Sequence, residues 1–394
     1  LVMQWLRACS VTFALIGFLL VQAVGLAWTT RGPYGVDFAA YYLASRALQQ
    51  GRDIYTLSEP DWSALAATAQ VANYEKRYLY PPLLAGVLRP MADLPFTTAL
   101  LIWRLFTIAA LLVASLCLSQ FLRQRWIDPM TFAAAAFFVP TLTTLYLGQA
   151  NTFVLAALAA YLLLDQRRRP WLAGVALAFG ILLKPIAIAL VAYLAWQRDW
   201  KRAAALLVGL SIGLFVMLIV AGGSAQLDYV HSFFDVVPSR VATYPPNQSV
   251  FGFWLRLFTA NPWSTALADL PALATVLACL TAAGLALLAA RLCWPRRPDA
   301  FALQVGLVLV TCSLIVPTSW YHHFTIDLIA LLIAWEANTQ RARRAALLIA
   351  YALIGIQGLL WKAFADQVLL LSLATYGLLI VYGTLAARLW VTRS

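Results

Sequence analysis

Long apolar runs separated by short polar stretches dominate the chain from end to end. A membrane-spanning helix needs about 20 predominantly apolar residues, and the hydropathy pattern predicts about twelve spans. The predicted spans cover residues 5–28, 97–120, 130–147, 151–165, 171–183, 185–197, 203–221, 267–293, 299–318, 323–338, 344–361 and 366–389. Lys184-Pro185 separates two short pieces, so two short helices meeting at a break and one irregular hairpin fit equally well. The pattern predicts an all-α polytopic membrane protein.

Composition supports this class. The chain is 63% apolar and only 11% charged, whereas soluble domains carry about 25% charged residues. The net charge of +12 comes from Lys and Arg clustered between the predicted spans, which indicates inside-facing loops and no nucleic-acid partner. The five cysteines stand singly within or at the ends of apolar segments, so we expect packing roles and no zinc or redox site.

Basic residues fall in alternate connections between the predicted spans, as the positive-inside rule requires if both termini are cytoplasmic. This orientation places two long loops, 29–96 and 222–266, on the extracytoplasmic side. The first apolar segment is longer than a signal peptide's apolar region, which favours an uncleaved anchor. We find no separate soluble region, so residues 1–394 are predicted to form one integral membrane domain.

The first long loop has a helical pattern of its own. Apolar residues at helical spacing after Asp37 predict an amphipathic helix that ends at Gly51. A second helix is expected to begin at Ser58, with Pro60 and Asp61 in its first turn, and to end near residue 74. Both are predicted to be interfacial helices lying along the membrane surface.

Five polar groups fall on the predicted extracytoplasmic face. They are Asp37, Gly148-Gln149-Ala150-Asn151, Lys184-Pro185, Pro245-Pro246-Asn247-Gln248-Ser249 and Trp320-Tyr321-His322-His323. Ionisable groups near membrane depth are costly and usually functional. Their coincidence on one face predicts an active site in which Asp37 is the catalytic base.

Each of these groups also has a structural explanation. An Asp ahead of a helix is more often an N-cap than a catalytic group, and this alternative applies to Asp37. The others have comparable alternatives: snorkelling for Lys184, turn formation for Gln149, Asn151 and Asn247, and interfacial placement for His322 and His323.

The sequence lacks several well-characterised motifs. It contains no Walker loop, dinucleotide-binding glycine motif with a following acid, zinc-protease helix or nucleophile elbow, and no Asp-x-Asp pair suited to a metal-held nucleotide sugar. No metal site and no cofactor are predicted. The residues alone leave open a secondary transporter of about twelve spans or a non-catalytic lipid-binding or scaffolding membrane protein.

Taken in order, the motifs resemble glycosyltransferase family 87, within the GT-C class of membrane-embedded glycosyltransferases. They are DFAAYYLASRAL, TyrProPro, GlyGlnAlaAsn, LysPro, AsnGlnSer and TrpTyrHisHis. The resemblance implies a GT-C-type bundle, an extracytoplasmic active site, a polyprenyl-phosphate-sugar donor and inversion at the anomeric carbon. It maps the family's early acidic residue onto Asp37 and its late histidine onto either His322 or His323. It favours mannose as the sugar, with arabinofuranose next, and a lipid or glycan as the acceptor.

A polyprenyl phosphate is a good leaving group, so the expected reaction needs a base and cationic donors more than a strong acid. Lys184 and Arg256 are the candidates for binding the donor phosphate. The expected substrate-binding residues are Tyr41, Tyr42, Tyr80, Gln149, Asn151, Asn247 and Trp320. The predicted partners are the lipid-linked donor, the acceptor and membrane lipids.

Overall fold

The computed structural model describes residues 2–32, 34–240, 242–294, 297–364 and 366–392, and over these residues the chain is helical and forms no β-strand. The α-helices are α1 (Val2–Thr29), α2 (Val36–Gln49), α3 (Glu59–Thr68), α4 (Pro82–Val87), α5 (Phe96–Arg123), α6 (Pro129–Phe137), α7 (Val139–Leu147), α8 (Asn151–Gln166), α9 (Pro170–Leu183), α10 (Ala189–Trp196), α11 (Trp200–Arg240), α12 (Val250–Phe258), α13 (Pro271–Leu292), α14 (Phe301–Ile315), α15 (Leu328–Ala337), α16 (Arg341–Leu360) and α17 (Leu373–Val391). Short 3₁₀ helices cover Arg89–Met91, Pro185–Ala187, Pro298–Ala300, Tyr321–Asp327, Trp361–Phe364 and Leu370–Ser372.

Within the described residues, seven helical segments are long and apolar enough to cross a membrane. They are Ser10–Thr29, Phe96–Arg123, Trp200–Ser232, Pro271–Leu292, Pro298–Ile315, Arg341–Phe364 and Leu370–Val391. Two further helix pairs, α6 with α7 and α9 with the segment Pro185–Trp196, are each bent at a short break, and counting each pair as one span brings the number to nine. The predicted all-helical, multi-pass character is confirmed.

The predicted number of about twelve spans is not confirmed by helix length. The predicted span 151–165 corresponds to α8, which has 16 residues, and the predicted span 323–338 corresponds to the 3₁₀ helix Tyr321–Asp327 followed by the ten-residue α15. Both are shorter than the roughly 20 residues that cross hydrocarbon without assistance. Helix length and composition within the described residues therefore support seven to nine spans. The larger number stays a prediction, because buried short helices are as apolar as membrane-crossing ones.

The chain separates into two compact units. The first comprises Leu1–Phe137, Thr141–Pro185 and Ala204–Val236, and the second comprises Phe138–Pro140, Ile186–Ala203 and Val237–Ser394. The prediction of one integral domain over 1–394 stays a prediction.

In the first unit, α8 packs against α5 and α9, and α1 packs against α6. Small residues allow α9 and α11 to approach closely. A Cβ atom at Gly174 would lie 2.5 Å from the Ala205 carbonyl carbon, and a Cβ atom at Gly209 would lie 2.7 Å from that of Ala178. Without side chains to separate them, the backbones of these helices pack in direct contact.

Helix α2 lies inside the first unit, although we predicted an amphipathic helix along the membrane surface. Ten of its 14 residues are buried, and it packs against α3, α4 and α5. Its predicted polar face is also engaged, because Arg46 donates hydrogen bonds to the carbonyl oxygen of Ala92 (2.8 Å) and to the hydroxyl of Tyr42 (3.2 Å). Alanines between the aromatic residues leave room for neighbours on both faces, which the hydrophobic spacing did not reveal.

Helix α3 begins as predicted. The Ser58 hydroxyl accepts a hydrogen bond from the backbone N–H of Asp61, and the Asp61 carboxylate accepts one from the backbone N–H of Ser58. This is a complete capping box. The helix ends at Thr68, about one and a half turns earlier than expected.

In the second unit, α17 packs against α14 and α16, α12 packs against α13, and α15 packs against α14. Two loops meet beside these helices. Asn247 forms an isolated antiparallel bridge with Trp320, the backbone N–H of Gln248 donates to the carbonyl of Ser319 (2.7 Å), and that of Tyr321 donates to the carbonyl of Pro246 (3.2 Å). These bonds join the predicted AsnGlnSer and TrpTyrHisHis motifs.

Candidate active site

Asp37 is the second residue of α2 and does not cap it. The N-cap is Gly35, whose φ of +98° lies in the left-handed region, and no side chain caps this end of the helix. A Cβ atom on Gly35 would lie 2.8 Å from a methyl carbon of Leu100, so the position requires glycine for both its φ and its packing. The alternative that Asp37 is an N-cap is therefore wrong. The residue is half-buried, and its carboxyl group is left for other contacts.

Beside Asp37 lies a set of polar side chains that we call the Gln149 network: Tyr41, Tyr80, Gln149, Asn151 and Lys184. The Gln149 side-chain oxygen accepts hydrogen bonds from the Tyr41 hydroxyl (2.6 Å) and the Lys184 ammonium (2.9 Å). Its amide nitrogen donates to the Tyr80 hydroxyl (2.9 Å). Lys184 also donates to the side-chain oxygen of Asn151 (2.9 Å) and lies over the Tyr80 ring. Five predicted site residues are thus brought together in one unit.

Burial raises the pKa of Asp37 to about 6, and the charge of Glu75 also raises it. A hydrogen bond from the Gln149 side chain and the positive charge of Lys184 act in the opposite direction. A carboxyl group with a pKa near 6 is mostly ionised at pH 7, and it is a stronger base than an ordinary carboxylate. The electrostatic environment of Asp37 thus suits proton abstraction near neutral pH.

A glycine turn places Gln149 beside Asp37. Gly148 has a φ of +74°, and a Cβ atom there would lie 2.6 Å from that of Phe38. The carbonyl oxygen of Gly148 accepts a hydrogen bond from the Trp103 indole N–H (2.7 Å). The Trp103 ring in turn stacks on Phe38 and Phe153. The GlyGlnAlaAsn motif is therefore both a tight turn, as the structural alternative proposed, and the centre of the network.

Tyr42 lies on α2 next to Tyr41 but makes different contacts. Its hydroxyl donates a hydrogen bond to the carbonyl oxygen of Leu94 (2.7 Å) and accepts one from Arg46 (3.2 Å). These bonds hold the segment before α5. A substrate-binding role for Tyr42 stays a prediction.

In the second unit, the aromatic rings of the TrpTyrHisHis motif pack on one another. The rings of Trp320 and His322 are stacked at 6.2 Å, and those of His322 and His323 meet edge to face at 4.7 Å. The backbone N–H of Trp320 donates to Nδ1 of His323 (3.4 Å), which favours the tautomer with its proton on Nε2. His322 is the more buried of the two, at 6% exposure.

The side chains of Asn247 and Arg256 form hydrogen bonds to backbone groups of the second unit. The Asn247 side-chain amide donates to the carbonyls of Ala242 (3.2 Å) and Pro317 (2.9 Å), and its oxygen accepts from the N–H groups of Ser249 and Ser319. We call residues 242–256 together with 317–320 the Asn247 region.

Arg256 is fully buried, and burial lowers its pKa to about 9. Its guanidinium donates to the carbonyls of Tyr244 (3.3 Å) and Asn247 (2.7 Å) and to the hydroxyl of Ser372 (2.8 Å). The backbone contacts of the Asn247 side chain support the alternative that Asn247 forms a turn. Phosphate binding by Arg256 and substrate binding by Asn247 stay predictions.

Asp37 and the two histidines belong to different units, so their partnership also stays a prediction. No group of three His, Cys, Asp or Glu side chains suited to a metal ion occurs among the described residues. The sequence reading overlooked two ionisable residues that are buried within apolar helical segments. Arg104 lies within the span Phe96–Arg123 and is 3% exposed, and Asp327 is fully buried with one oxygen accepting from the Ser313 hydroxyl (2.7 Å). A lone charge inside an apolar run was the available signal for both.

The model of glycosyltransferase family 87 matches residues 78–318, more than half of the chain. The match includes Gln149 and Lys184. Asp37 lies before it and the two histidines lie after it.

Two similar proteins come from Mycobacterium tuberculosis. A polyprenol-phosphate-mannose-dependent alpha-(1-2)-phosphatidylinositol pentamannoside mannosyltransferase is 28% identical, with 95% of this chain and 86% of the relative covered. A polyprenol-phosphate-mannose-dependent alpha-(1-2)-phosphatidylinositol mannoside mannosyltransferase is 24% identical, with 87% and 80% covered. The crystal structure of ArnT from Cupriavidus metallidurans bound to undecaprenyl phosphate is 16% identical with a TM-score of 0.37, and the match covers 96% of this chain and 77% of that one. A TM-score of this size does not establish a shared fold.

Proposed function

The chain belongs to glycosyltransferase family 87, and on that premise we propose that it transfers mannose from a polyprenyl-phosphate donor to a lipid or glycan acceptor outside the cytoplasm. The names of its relatives specify a polyprenol-phosphate-mannose donor and mannosyl transfer, which favours mannose over arabinofuranose. Membership of a transferase family also disfavours the alternative of a secondary transporter.

The observation that carries this proposal is the placement of Asp37 beside the Gln149 network. Asp37 is a half-buried residue, and the raised pKa of its carboxyl group suits a base. Lys184 lies close enough for its positive charge to lower the pKa of Asp37, and the Lys184 ammonium is held by Gln149 and Asn151. A base and a cation are the two groups that transfer from a phospho-sugar requires.

In the proposed reaction, an acceptor hydroxyl oxygen attacks the anomeric carbon from the face opposite the phosphate. The new carbon–oxygen bond forms as the bond from the anomeric carbon to the phosphate oxygen breaks, and the configuration inverts. The hydroxyl proton passes to the Asp37 carboxylate, and polyprenyl phosphate leaves with the bonding electron pair. No acid is needed at the leaving oxygen, because the phosphate carries the charge.

The remaining roles follow from side-chain chemistry. Lys184 contributes positive charge near the donor phosphate, and Tyr41 and Tyr80 position Gln149 beside Asp37. His322 or His323 orients the donor through a ring N–H. The basic loops favour cytoplasmic termini, which assigns loops 29–96 and 222–266, and with them the active site, to the extracytoplasmic side.

The test supplies purified protein in lipid nanodiscs with radiolabelled polyprenyl-phosphate mannose or polyprenyl-phosphate arabinose and a lipid extract. We expect labelled product from the mannose donor. Asp37→Asn should lower turnover by about 10²–10⁴-fold, because a positioned base contributes that much. Asp93→Asn, an exposed carboxylate of the same loop, is the matched control and should keep the rate of the unsubstituted protein. Normal turnover of a folded Asp37→Asn variant would remove Asp37 from the mechanism.

A further inference from the structure

Arg104 is a buried cation that the proposed mechanism does not use. It lies in α5, its side chain is 3% exposed, and neither Nε nor one of its terminal nitrogens has a hydrogen-bond partner among the described residues. The ion pairs found in the same residues do not include it. A guanidinium always carries its charge, and a buried charge without a partner is strongly unfavourable. A bound anion would compensate this buried positive charge.

The position of Arg104 along α5 is close to the expected membrane boundary. The helix has 28 residues, a length of about 42 Å at 1.5 Å per residue, whereas the hydrocarbon core is about 30 Å thick. About 12 Å of the helix, or eight residues, therefore extends beyond the hydrocarbon. Arg104 is the ninth residue. With this excess at the N-terminal end, Arg104 stands at the edge of the hydrocarbon, and its side chain leans toward the headgroups.

The neighbours of Arg104 on α5 border the candidate active site. Leu100, one turn earlier, lies where a Cβ atom on Gly35 or Gly148 would meet it. Trp103, the preceding residue, donates its hydrogen bond to the Gly148 carbonyl. Helical side chains lean toward the N-terminus, so the Arg104 guanidinium is directed back toward the level of these two contacts.

The other two cations predicted to bind phosphate are already engaged within the protein. Lys184 donates to Gln149 and Asn151, and the Arg256 guanidinium donates to two carbonyls and a hydroxyl. Among the described residues, Arg256 leaves only Nε without a partner, whereas Arg104 leaves both Nε and one terminal nitrogen without one. Its planar fork matches phosphate oxygens in pairs, which is the geometry that distinguishes Arg from Lys.

We propose that Arg104 binds the phosphate group of a polyprenyl-phosphate lipid at the site that contains Asp37, an assignment that rests on the proposed function for the identity of the lipid. The phosphate of the donor is a diester with one negative charge, and the departing polyprenyl phosphate is a monoester with up to two. The guanidinium therefore stabilises the leaving group more than the donor. This difference makes Arg104 a contributor to turnover as well as to donor binding.

The test measures binding without any sugar transfer. Purified full-length protein in nanodiscs is titrated with polyprenyl phosphate and, separately, with the neutral polyprenol of the same chain length. The unsubstituted protein should prefer the phosphate. Arg104→Gln should lose at least tenfold of that preference, and Arg104→Lys should retain part of it because the charge remains without the fork. Arg125→Gln, an exposed arginine just beyond α5, is the control and should behave as the unsubstituted protein.

Stability without ligand separates phosphate binding from a structural role. Arg104→Met removes an unsatisfied buried charge, so its thermal midpoint should equal or exceed that of the unsubstituted protein. A large loss of stability in Arg104→Met, or an Arg104→Gln variant with a full preference for phosphate, would overturn the inference. If Arg104→Gln does not fold, an Arg104→Lys variant with an undiminished preference overturns it.

The outcome also distinguishes this inference from the proposed function. Sugar transfer by the unsubstituted protein together with an unchanged phosphate preference in the Arg104 variants would refute the inference alone. An Arg104-dependent preference for phosphate in a protein that transfers no sugar from either donor would refute the proposed function alone.

Discussion

In the Gln149 network polar side chains bond mainly to one another, whereas in the Asn247 region polar side chains bond mainly to backbone. Gln149 connects two phenols and an ammonium, and the carboxyl of the half-buried Asp37 lies beside them. The Asn247 side-chain amide hydrogen-bonds to backbone groups of two loops, and the Arg256 guanidinium donates to two carbonyl oxygens. Bonds between side chains tune charge and pKa, and bonds to backbone fix loop conformation. Both motifs were predicted to bind substrate, and the difference in their bonding is the reason why the proposed function assigns the chemistry to the Gln149 network.

The pH profile of turnover is the most demanding test of this comparison. Asp37 must be ionised to accept a proton, and its pKa is raised to about 6. Turnover should therefore fall as the pH drops below about 6 and level off above it. In Asp37→Asn this limb should disappear together with the large loss of rate. An unchanged acid limb in that variant would assign the titration to another group.

Asn247→Ala should lower the stability of the protein and not the rate of sugar transfer. The substitution removes bonds to two carbonyls and two backbone N–H groups in a buried region, so we expect a loss of about 3 kcal/mol in the free energy of unfolding. Denaturant unfolding of the purified protein measures it. Asn73→Ala, an exposed asparagine, is the control. A higher KM for donor or acceptor with normal stability would contradict the comparison and restore the predicted substrate contact.

Gln149→Met keeps the size of the side chain but removes its hydrogen bonds. The bond from Gln149 lowers the pKa of Asp37, so its loss should move the acid limb of the turnover profile to higher pH. At pH 6 the variant should be slower than the unsubstituted protein, and at pH 8 the gap should narrow. A gap that does not depend on pH would show that Gln149 acts through geometry alone.

The smallest effect is expected from the pair Tyr41→Phe and Tyr42→Phe. Each removes one hydroxyl from the same helix. The Tyr42 hydroxyl bonds to Leu94, so its loss should cost about 1 kcal/mol of stability without changing turnover. The Tyr41 hydroxyl bonds to Gln149, so its loss should change turnover as well. Equal effects on turnover would erase the distinction between the two phenols.

Much of the fold could be predicted from apolar run length alone, because crossing hydrocarbon constrains both length and composition. The number of spans could not be established in this way, since short buried helices such as α8 and α15 are as apolar as a span. The burial of α2 was also missed. Its alanines allow contact on every face, and spacing records only where large apolar residues recur.

The candidate site was predictable to the extent that polar motifs interrupt apolar sequence. That signal pointed to Asp37, Gln149 and Lys184, which lie close together in the first unit, and their role as a site stays a prediction. The contacts of Asn247 were not predictable, because the local sequence does not determine the positions of carbonyl oxygens that are distant along the chain. Arg104 was predictable and overlooked, since a single charge within an apolar helix is itself a signal.

Gly35 and Gly148 have a practical consequence for engineering. Both adopt left-handed backbone geometry, and a methyl group on either would collide with Leu100 or Phe38. Libraries that aim to broaden sugar selectivity should therefore keep both glycine codons fixed and randomise the tyrosines around them. A screen that ignores this would lose folded clones before selection could sample new specificities.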